Sequence, residues 1–118
     1  MKIGIIGGGA SGMIAAISAA RKGASVTVLE GGDRIGRKIL ATGNGKCNFT
    51  NQKMDSSCFR SNTSDYISEY LEKFGTKDTL VFFSSLQMLY KDKNGYYYPA
   101  SEQASTVLDV LRYEIESF

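Results

Sequence analysis

The stretch Lys2-Ile3-Gly4-Ile5-Ile6-Gly7-Gly8-Gly9-Ala10-Ser11-Gly12 decides the fold. Lys2 to Ile6 is a short apolar run, the pattern of a buried parallel strand, and it breaks off at consecutive glycines that force a turn. From Ala10 to Lys22 the residues are Ala, Ile, Met and Ser with no charge before Arg21, as suits a helix pressed against a sheet. Arg21 and Lys22 favour the negative end of that helix's dipole. Gly23 supplies a stop, and Ala24 to Glu30 reads as a second strand rich in β-branched residues. A strand, helix and strand of this length close as a right-handed parallel crossover. The expected class is therefore α/β, opening with a Rossmann-type parallel βαβ unit.

Within that unit, Gly7-x-Gly9-x-x-Gly12 lies between the strand and the helix, the context a dinucleotide fingerprint requires. Gly7 permits the tight turn, Gly9 lets the backbone approach a pyrophosphate, and Gly12 lets helix and strand pack closely. The amides near Ala10 and Ser11 would face negative charge, aided by the helix dipole. Glu30 follows Gly12 by about 20 residues, the place of an acidic residue that accepts a hydrogen bond from a ribose 2′-hydroxyl and repels a 2′-phosphate. Against this stands the bland reading of a plain glycine turn and a solvated strand end. It requires strand context, glycine spacing and acidic position to coincide by accident.

Residues 31–51 carry several glycines and basic residues without periodicity, so they read as an extended loop, long for a compact domain. Beyond it, Ser64 to Phe74 and Thr76 to Leu86 have helical spacing, and Asn94-Gly95 between Leu89-Tyr90 and Tyr96-Tyr97-Tyr98 predicts a small antiparallel hairpin. After Pro99, Ser101 can cap a helix whose Ala104, Val107, Leu108, Leu111 and Ile115 form one apolar stripe. The predicted organisation is residues 1–51 as the βαβ unit with its loop and residues 52–118 as helices with the hairpin. Two parallel strands have little to pack against, and units of this type normally have at least three, so the Rossmann unit is expected to be incomplete and completed by the remainder of a parent chain.

Composition narrows the partners. At 118 residues with 42% hydrophobic and 22% charged, the chain has material for one core. A net charge of +2 is too mild to predict a nucleic-acid surface. Cys47 and Cys58 do not form a CxxC pair, which argues against a zinc site or disulfide framework and favours a reducing cytoplasm. The apolar start superficially resembles a secretory signal, but Gly7, Gly8, Gly9 and Gly12 interrupt it, and no stretch reaches the roughly 18 apolar residues of a membrane span. Neither a membrane nor nucleic acid is expected as a partner.

The fingerprint alone cannot choose between NAD and FAD, since both carry ADP. The loop bears on the choice. Gly31 continues from Glu30, and Arg34, Arg37 and Lys38 precede Thr42-Gly43-Asn44-Gly45-Lys46-Cys47-Asn48, a polar, glycine-rich stretch suited to run along an extended anionic ligand. Ordinary NAD units pass from the acidic strand into a helix, so this insertion favours FAD.

The stretches Gly7 to Gly12, Gly36-Arg37-Lys38-Ile39-Leu40 and Thr42 to Asn51, together with Glu30 and Tyr96 to Leu111, resemble the HI0933-like flavoproteins, also labelled aminoacetone-oxidase-family or BaiN-like FAD-binding proteins. The resemblance spans nearly the whole chain. It implies a Rossmann-type FAD domain interrupted by a substrate region, with a second flavin-binding stretch nearer the C-terminus of such proteins. It also implies either amine oxidation with oxygen or reduction of an activated double bond with a nicotinamide donor, NAD(P)H, and the residues present do not separate the two.

The cofactor-binding set is accordingly Gly7, Gly9, Ala10, Ser11, Gly12, Glu30, Gly31, Arg37, Lys38, Thr42, Gly43, Asn44, Cys47 and Asn48. Lys38 and Arg37 could balance pyrophosphate charge or remain solvated cations; the apolar Ile39-Leu40 that should pin the loop favours function for Lys38. Thr42, Asn44 and Asn48 are given ribityl or flavin-edge contacts mainly by the resemblance. Cys47 beside Lys46 invites a thiol role, but without a second cysteine at relay spacing it reads as a small packing residue. The tyrosine run reads as packing rather than pocket lining. With no histidine, the usual neutral-pH acid and base is absent from these residues, and no catalytic residue is assigned. The expected function is the FAD-binding part of a flavin-dependent oxidoreductase acting on a small organic molecule. A non-catalytic NAD-binding, redox-sensing module is the alternative.

Overall fold

A computed structural model describes residues 1–118, the side chains of Ser64 and Asp65 excepted. Strands β1 (Lys2–Ile6) and β2 (Ser25–Leu29) pair in parallel, with Ile3 opposite Val26 and Ile5 opposite Val28. Helix α1 (Ala10–Arg21) connects them, so the expected α/β unit is present. β2 stops one residue short of the predicted end, and Glu30 opens the loop.

The strands are not buried on both faces as the apolar run of β1 predicts. Ile3, Ile5, Val26 and Val28 are half-buried, whereas the alternate positions face solvent, with Ile6 89% and Leu29 57% exposed. The cause is the period of two: α1 covers one face, and successive side chains point to opposite faces.

α1 ends as Gly23 predicts. Gly23 sits at φ +85°, its N–H donates to the Ala20 carbonyl at 2.8 Å, and the Ala24 N–H donates to the Ala19 carbonyl at 3.1 Å. This is the paired closure in which a left-handed glycine satisfies the last carbonyls and turns the chain back into β2.

Residues 31–51 differ from the structureless loop expected. Arg37–Gly45 forms two short 3₁₀ turns joined at a kink, where Gly43 (φ +54°) and Asn44 (φ +57°) are both left-handed, and Thr50–Asn51 is a short strand, β3. Neither has a periodicity to read: 3₁₀ turns are too short, and a two-residue strand exists only through its partner.

That partner lies far along the chain. β4 (Tyr90–Lys93) and β5 (Tyr96–Pro99) form the hairpin, with Asn94 (φ +54°) and Gly95 (φ +88°) at its corners as the sequence requires. β3 adds to β5, Thr50 opposite Tyr97, making three strands where two were predicted. Helices α2 (Ser64–Lys73) and α3 (Thr76–Ser85) precede the hairpin, and α4 (Ala104–Glu116) follows it. Ser101 is not the cap of α4. Gln103 is, and the Ser101 hydroxyl instead accepts the Gln103 N–H and pairs with Thr106 Oγ1.

Ala104, Val107, Leu108 and Leu111 of α4 are buried as the stripe predicts, against α1 and the Arg37–Gly45 segment. The core joins Met13, Ile17, Ile39, Cys47, Phe83 and Met88 to these, so it draws on both halves of the chain. Each large apolar side chain fully buried contributes roughly 1.5–3 kcal/mol, more than an exposed i,i+4 ion pair such as Arg112–Glu116. No helix among the described residues is long and apolar enough to cross a membrane.

Candidate functional site

The glycine turn between β1 and α1 is held by hydrogen bonds from three directions. The Gly7 N–H donates to the Leu29 carbonyl at 2.7 Å, tying the turn to the end of β2. The Gly8 N–H donates to Glu30 Oε2 at 2.6 Å, and the Gly8 carbonyl accepts from the Gly36 N–H at 2.7 Å. Gly7 adopts φ +97°, the left-handed geometry a tight turn demands.

Gly12 faces the turn at contact distance: a Cβ there would stand 1.9 Å from the Gly7 carbonyl oxygen, a backbone atom that cannot yield. Gly9 is the opposite case. A Cβ there would meet nothing within 4 Å, so this backbone faces open space. Gly9 also caps α1 without any side-chain hydrogen bond, and α1's first intrahelical bond runs from the Met13 N–H to the Gly9 carbonyl. The amides of Ala10 and Ser11 in the first turn are therefore available to an anion.

Glu30 is exposed, and its two oxygens are used on different donors: Oε2 takes Gly8 and Oε1 takes the Gly32 N–H at 2.9 Å. These backbone donors, Gly32 first and Gly8 next, with a smaller part from Gly31, hold the carboxyl below its ordinary range, so it is ionised at neutral pH. Each oxygen keeps a second lone pair for a further donor.

Gly8, Gly9, Glu30, Arg34, Arg37, Lys38 and Ala41 line one open groove of about 400 Å³. Asp33 pairs with both Arg34 and Arg37 at 3.7 Å, in exposed contacts that position cations without neutralising the groove. Arg37 and Lys38 thus lie beside the glycine turn, where a phosphate would sit.

The remaining loop residues do not share that groove. Thr42, Cys47 and Asn48 line a second, apolar pocket of about 370 Å³, with Ala10 and Ile14 of α1 and Phe82 of α3. Thr42 Oγ1 donates to the Ile39 carbonyl at 2.6 Å. Asn48 Nδ2 donates to the carbonyls of Thr50 (2.9 Å) and Tyr97 (3.0 Å), so both its N–H groups serve the β3–β5 sheet and only its carbonyl oxygen is left for another partner. Gly43 crosses closely over the next turn, since a Cβ there would stand 2.4 Å from the Asn48 nitrogen, and Asn44 is exposed at the kink. Cys47 is buried, which pushes its thiol up from the ordinary range despite a hydrogen bond with Thr42. A neutral thiol is a packing group rather than a nucleophile. Tyr97 and Tyr98 are half-buried and Tyr96 is exposed.

Sequence reasoning missed Gly8, Gly32 and Gly36. A Cβ on Gly8 would stand 2.5 Å from Ile35 Cγ2 and 3.1 Å from Glu30 Oε2, so the middle glycine of the run, which the motif leaves free, is sterically constrained where Gly9 is open. The run Gly7-Gly8-Gly9 was a signal for it. For Gly32 the sequence carried only glycine enrichment in an unassigned loop, whereas Gly36 opens a stretch that carries the family resemblance but no role could be read for it.

Comparison with known proteins agrees with this geometry. The family model described as "HI0933-like protein Rossmann domain" matches residues 1–118. A 3-dehydro-bile acid delta(4,6)-reductase from Clostridium scindens is 51% identical over 116 residues. Ribosomal RNA dihydrouridine synthases from Haemophilus influenzae and Escherichia coli are 32% and 30% identical over 114 and 112 residues. The alignments cover 97%, 97% and 95% of this chain but 28% of each relative, so the chain spans little more than a quarter of the length of the curated relatives it matches.

Proposed function

This chain belongs to the HI0933-like Rossmann-domain family, and on that premise we propose that it holds the ADP half of FAD within a flavin-dependent oxidoreductase. The observation that carries the reading is the Glu30 carboxylate turned onto the Gly8 N–H at 2.6 Å, in the same groove as the open backbone of Gly9. A dinucleotide needs a carboxylate for its ribose and unoccupied amides for its pyrophosphate side by side, and the residues present meet that need.

Glu30 accepts the ribose hydroxyl with the lone pairs that Gly8 and Gly32 leave free. The amides from Gly9 to Ser11 face the pyrophosphate, and Arg37 and Lys38 offset its charge. Gly7 and Gly12 shape the turn and keep α1 close. Gly31 contributes to Glu30's setting. Thr42, Cys47 and Asn48 line the apolar pocket that would take the rest of the cofactor, with Asn48 offering its carbonyl oxygen alone, and Gly43 and Asn44 shape the turn that carries them. When bound, the flavin supplies hydride or electron transfer.

The family names favour reduction over oxidation. A delta(4,6)-reductase and a dihydrouridine synthase share one chemistry, saturation of a carbon–carbon double bond. The higher identity to the bile-acid enzyme favours a small organic substrate over RNA, and NAD(P)H is proposed as the electron donor.

The test is to purify the full-length parent protein, release its cofactor and identify it by absorbance and mass. FAD is the expected result. NAD without flavin overturns the proposal and favours the redox-sensing module, since that ligand shares the ADP moiety.

A further inference from the structure

The loop after Glu30 returns to the glycine turn at one point, Gly36, and two core helices close on that point. Gly36 is buried with φ +71°. A Cβ there would stand 2.2 Å from Leu108 Cδ1 of α4 and 3.1 Å from Met13 Sδ of α1. Both of these side chains are core residues, Met13 fully buried and Leu108 nearly so. No L side chain fits between them at that backbone angle without displacing one.

The clamp acts on the site through one peptide. The Gly36 N–H donates to the Gly8 carbonyl at 2.7 Å. The Gly8–Gly9 peptide is trans, so its C=O and N–H point in opposite directions. Holding the carbonyl toward Gly36 therefore turns the Gly9 N–H away from Gly36, and Gly9 itself lines the open groove. Without that hydrogen bond the peptide is free to rotate, because neither glycine has a side chain to resist it.

We infer that Gly36 is a positioning residue for nucleotide binding: Met13 and Leu108 clamp it so that its N–H orients the Gly8–Gly9 peptide and aims the Gly9 N–H at the ligand's phosphates. The inference rests on the nucleotide reading of the groove. It makes the distant helix α4 part of the binding apparatus, although Leu108 does not line the groove.

The test uses the full-length parent protein and its variants Gly36→Ala, Leu108→Ala and the double variant, with Leu108→Phe pressing on Gly36 without altering the loop. Three quantities are measured: FAD affinity by titration, thermal stability, and ligand-free exchange of the amide at position 36, the donor to the Gly8 carbonyl. Gly36→Ala and Leu108→Phe should each weaken FAD binding about tenfold or more and speed exchange of the amide at position 36, as expected for a lost and misdirected hydrogen bond. Leu108→Ala alone opens one side of the clamp while Met13 stays, so it should lower stability and weaken FAD binding, though less than Gly36→Ala does. The double variant makes room for the added methyl, so it should regain affinity over Gly36→Ala while being the least stable of the set. A purely structural role predicts that affinity follows stability, with the double variant worst in both. That outcome, or wild-type affinity and exchange in Gly36→Ala, overturns the inference. If the wild-type protein takes up no FAD, the cofactor reading fails, and unchanged exchange of the amide at position 36 then overturns the clamp by itself.

Discussion

Glu30 and Gly12 hold opposite sides of a single peptide. The Gly7–Gly8 bond sends its N–H to Glu30 Oε2 at 2.6 Å, and its carbonyl oxygen stands 1.9 Å from where a Gly12 Cβ would be. Since the bond is trans, the two contacts are antiparallel, one setting the ribose side of the groove and the other the closeness of α1 to the turn.

This geometry separates two glycines of one motif. Gly12→Ala forces a methyl onto a backbone oxygen and should destabilise the fold by about 2 kcal/mol or more. Gly9→Ala meets nothing within 4 Å at a φ of −75° that alanine adopts freely, so its unfolding midpoint should match wild type while its FAD affinity falls. Denaturant unfolding alongside FAD titration measures both; a destabilised Gly9→Ala would show that this backbone is packed rather than open.

Glu30 predicts an acid limb. Its carboxyl is lowered from 4.5 in the folded state, chiefly by the Gly32 N–H and then by Gly8. A depressed carboxyl contributes stability that is fully present above its unfolded value and lost as pH falls through the folded one. The stability difference between wild type and Glu30→Gln should thus be constant above about pH 5 and shrink below 4.5. Glu102, held down to about 2 by Lys93 and Lys91, loses its own contribution as pH falls from 4.5 toward 2 in both proteins, and the difference removes it. A difference independent of pH down to 2 would mean that Glu30 does not accept these bonds.

Asn48 ties β3 to β5 with both amide hydrogens. Asn48→Ala removes both of these bonds, leaving the Tyr97 carbonyl to the Phe49 N–H, and should cost roughly 1–3 kcal/mol at about 0.5–1.5 kcal/mol per bond. Asn48→Asp should cost more at neutral pH than near pH 3, because it sets a carboxylate against carbonyl oxygens. Chemical denaturation at both pH values checks this, and wild-type stability in both variants would return Asn48 to a purely ligand-facing role.

The two thiols should differ in rate. Cys58 is exposed, whereas Cys47 is buried with a raised pKa and lines the apolar pocket. Ellman's reagent should titrate one thiol of the native chain promptly and the second only as the fold opens, with Cys58→Ser removing the fast phase. A fast phase that survives Cys58→Ser would contradict the burial of Cys47.

What the sequence by itself determined is whatever depends on neighbours a few residues apart. The Gly7-x-Gly9-x-x-Gly12 turn, the stop at Gly23, the Asn94-Gly95 hairpin and the apolar stripe of α4 are set by backbone freedom and side-chain period, which are local. Glu30 was legible by its distance from the turn, because the length of a strand, helix and strand is itself regular. What only the tertiary structure decided joins residues that no local pattern connects. Gly36 opens a stretch that carries the family resemblance, but its role is not visible until Met13 and Leu108 close on it. Asn48 reads as a free amide until Tyr97, 49 positions away, takes one of its hydrogens, and β3 exists only because β5 arrives beside it. The reason is that these features are contacts across the core, whose partners chain folding selects and sequence spacing does not encode.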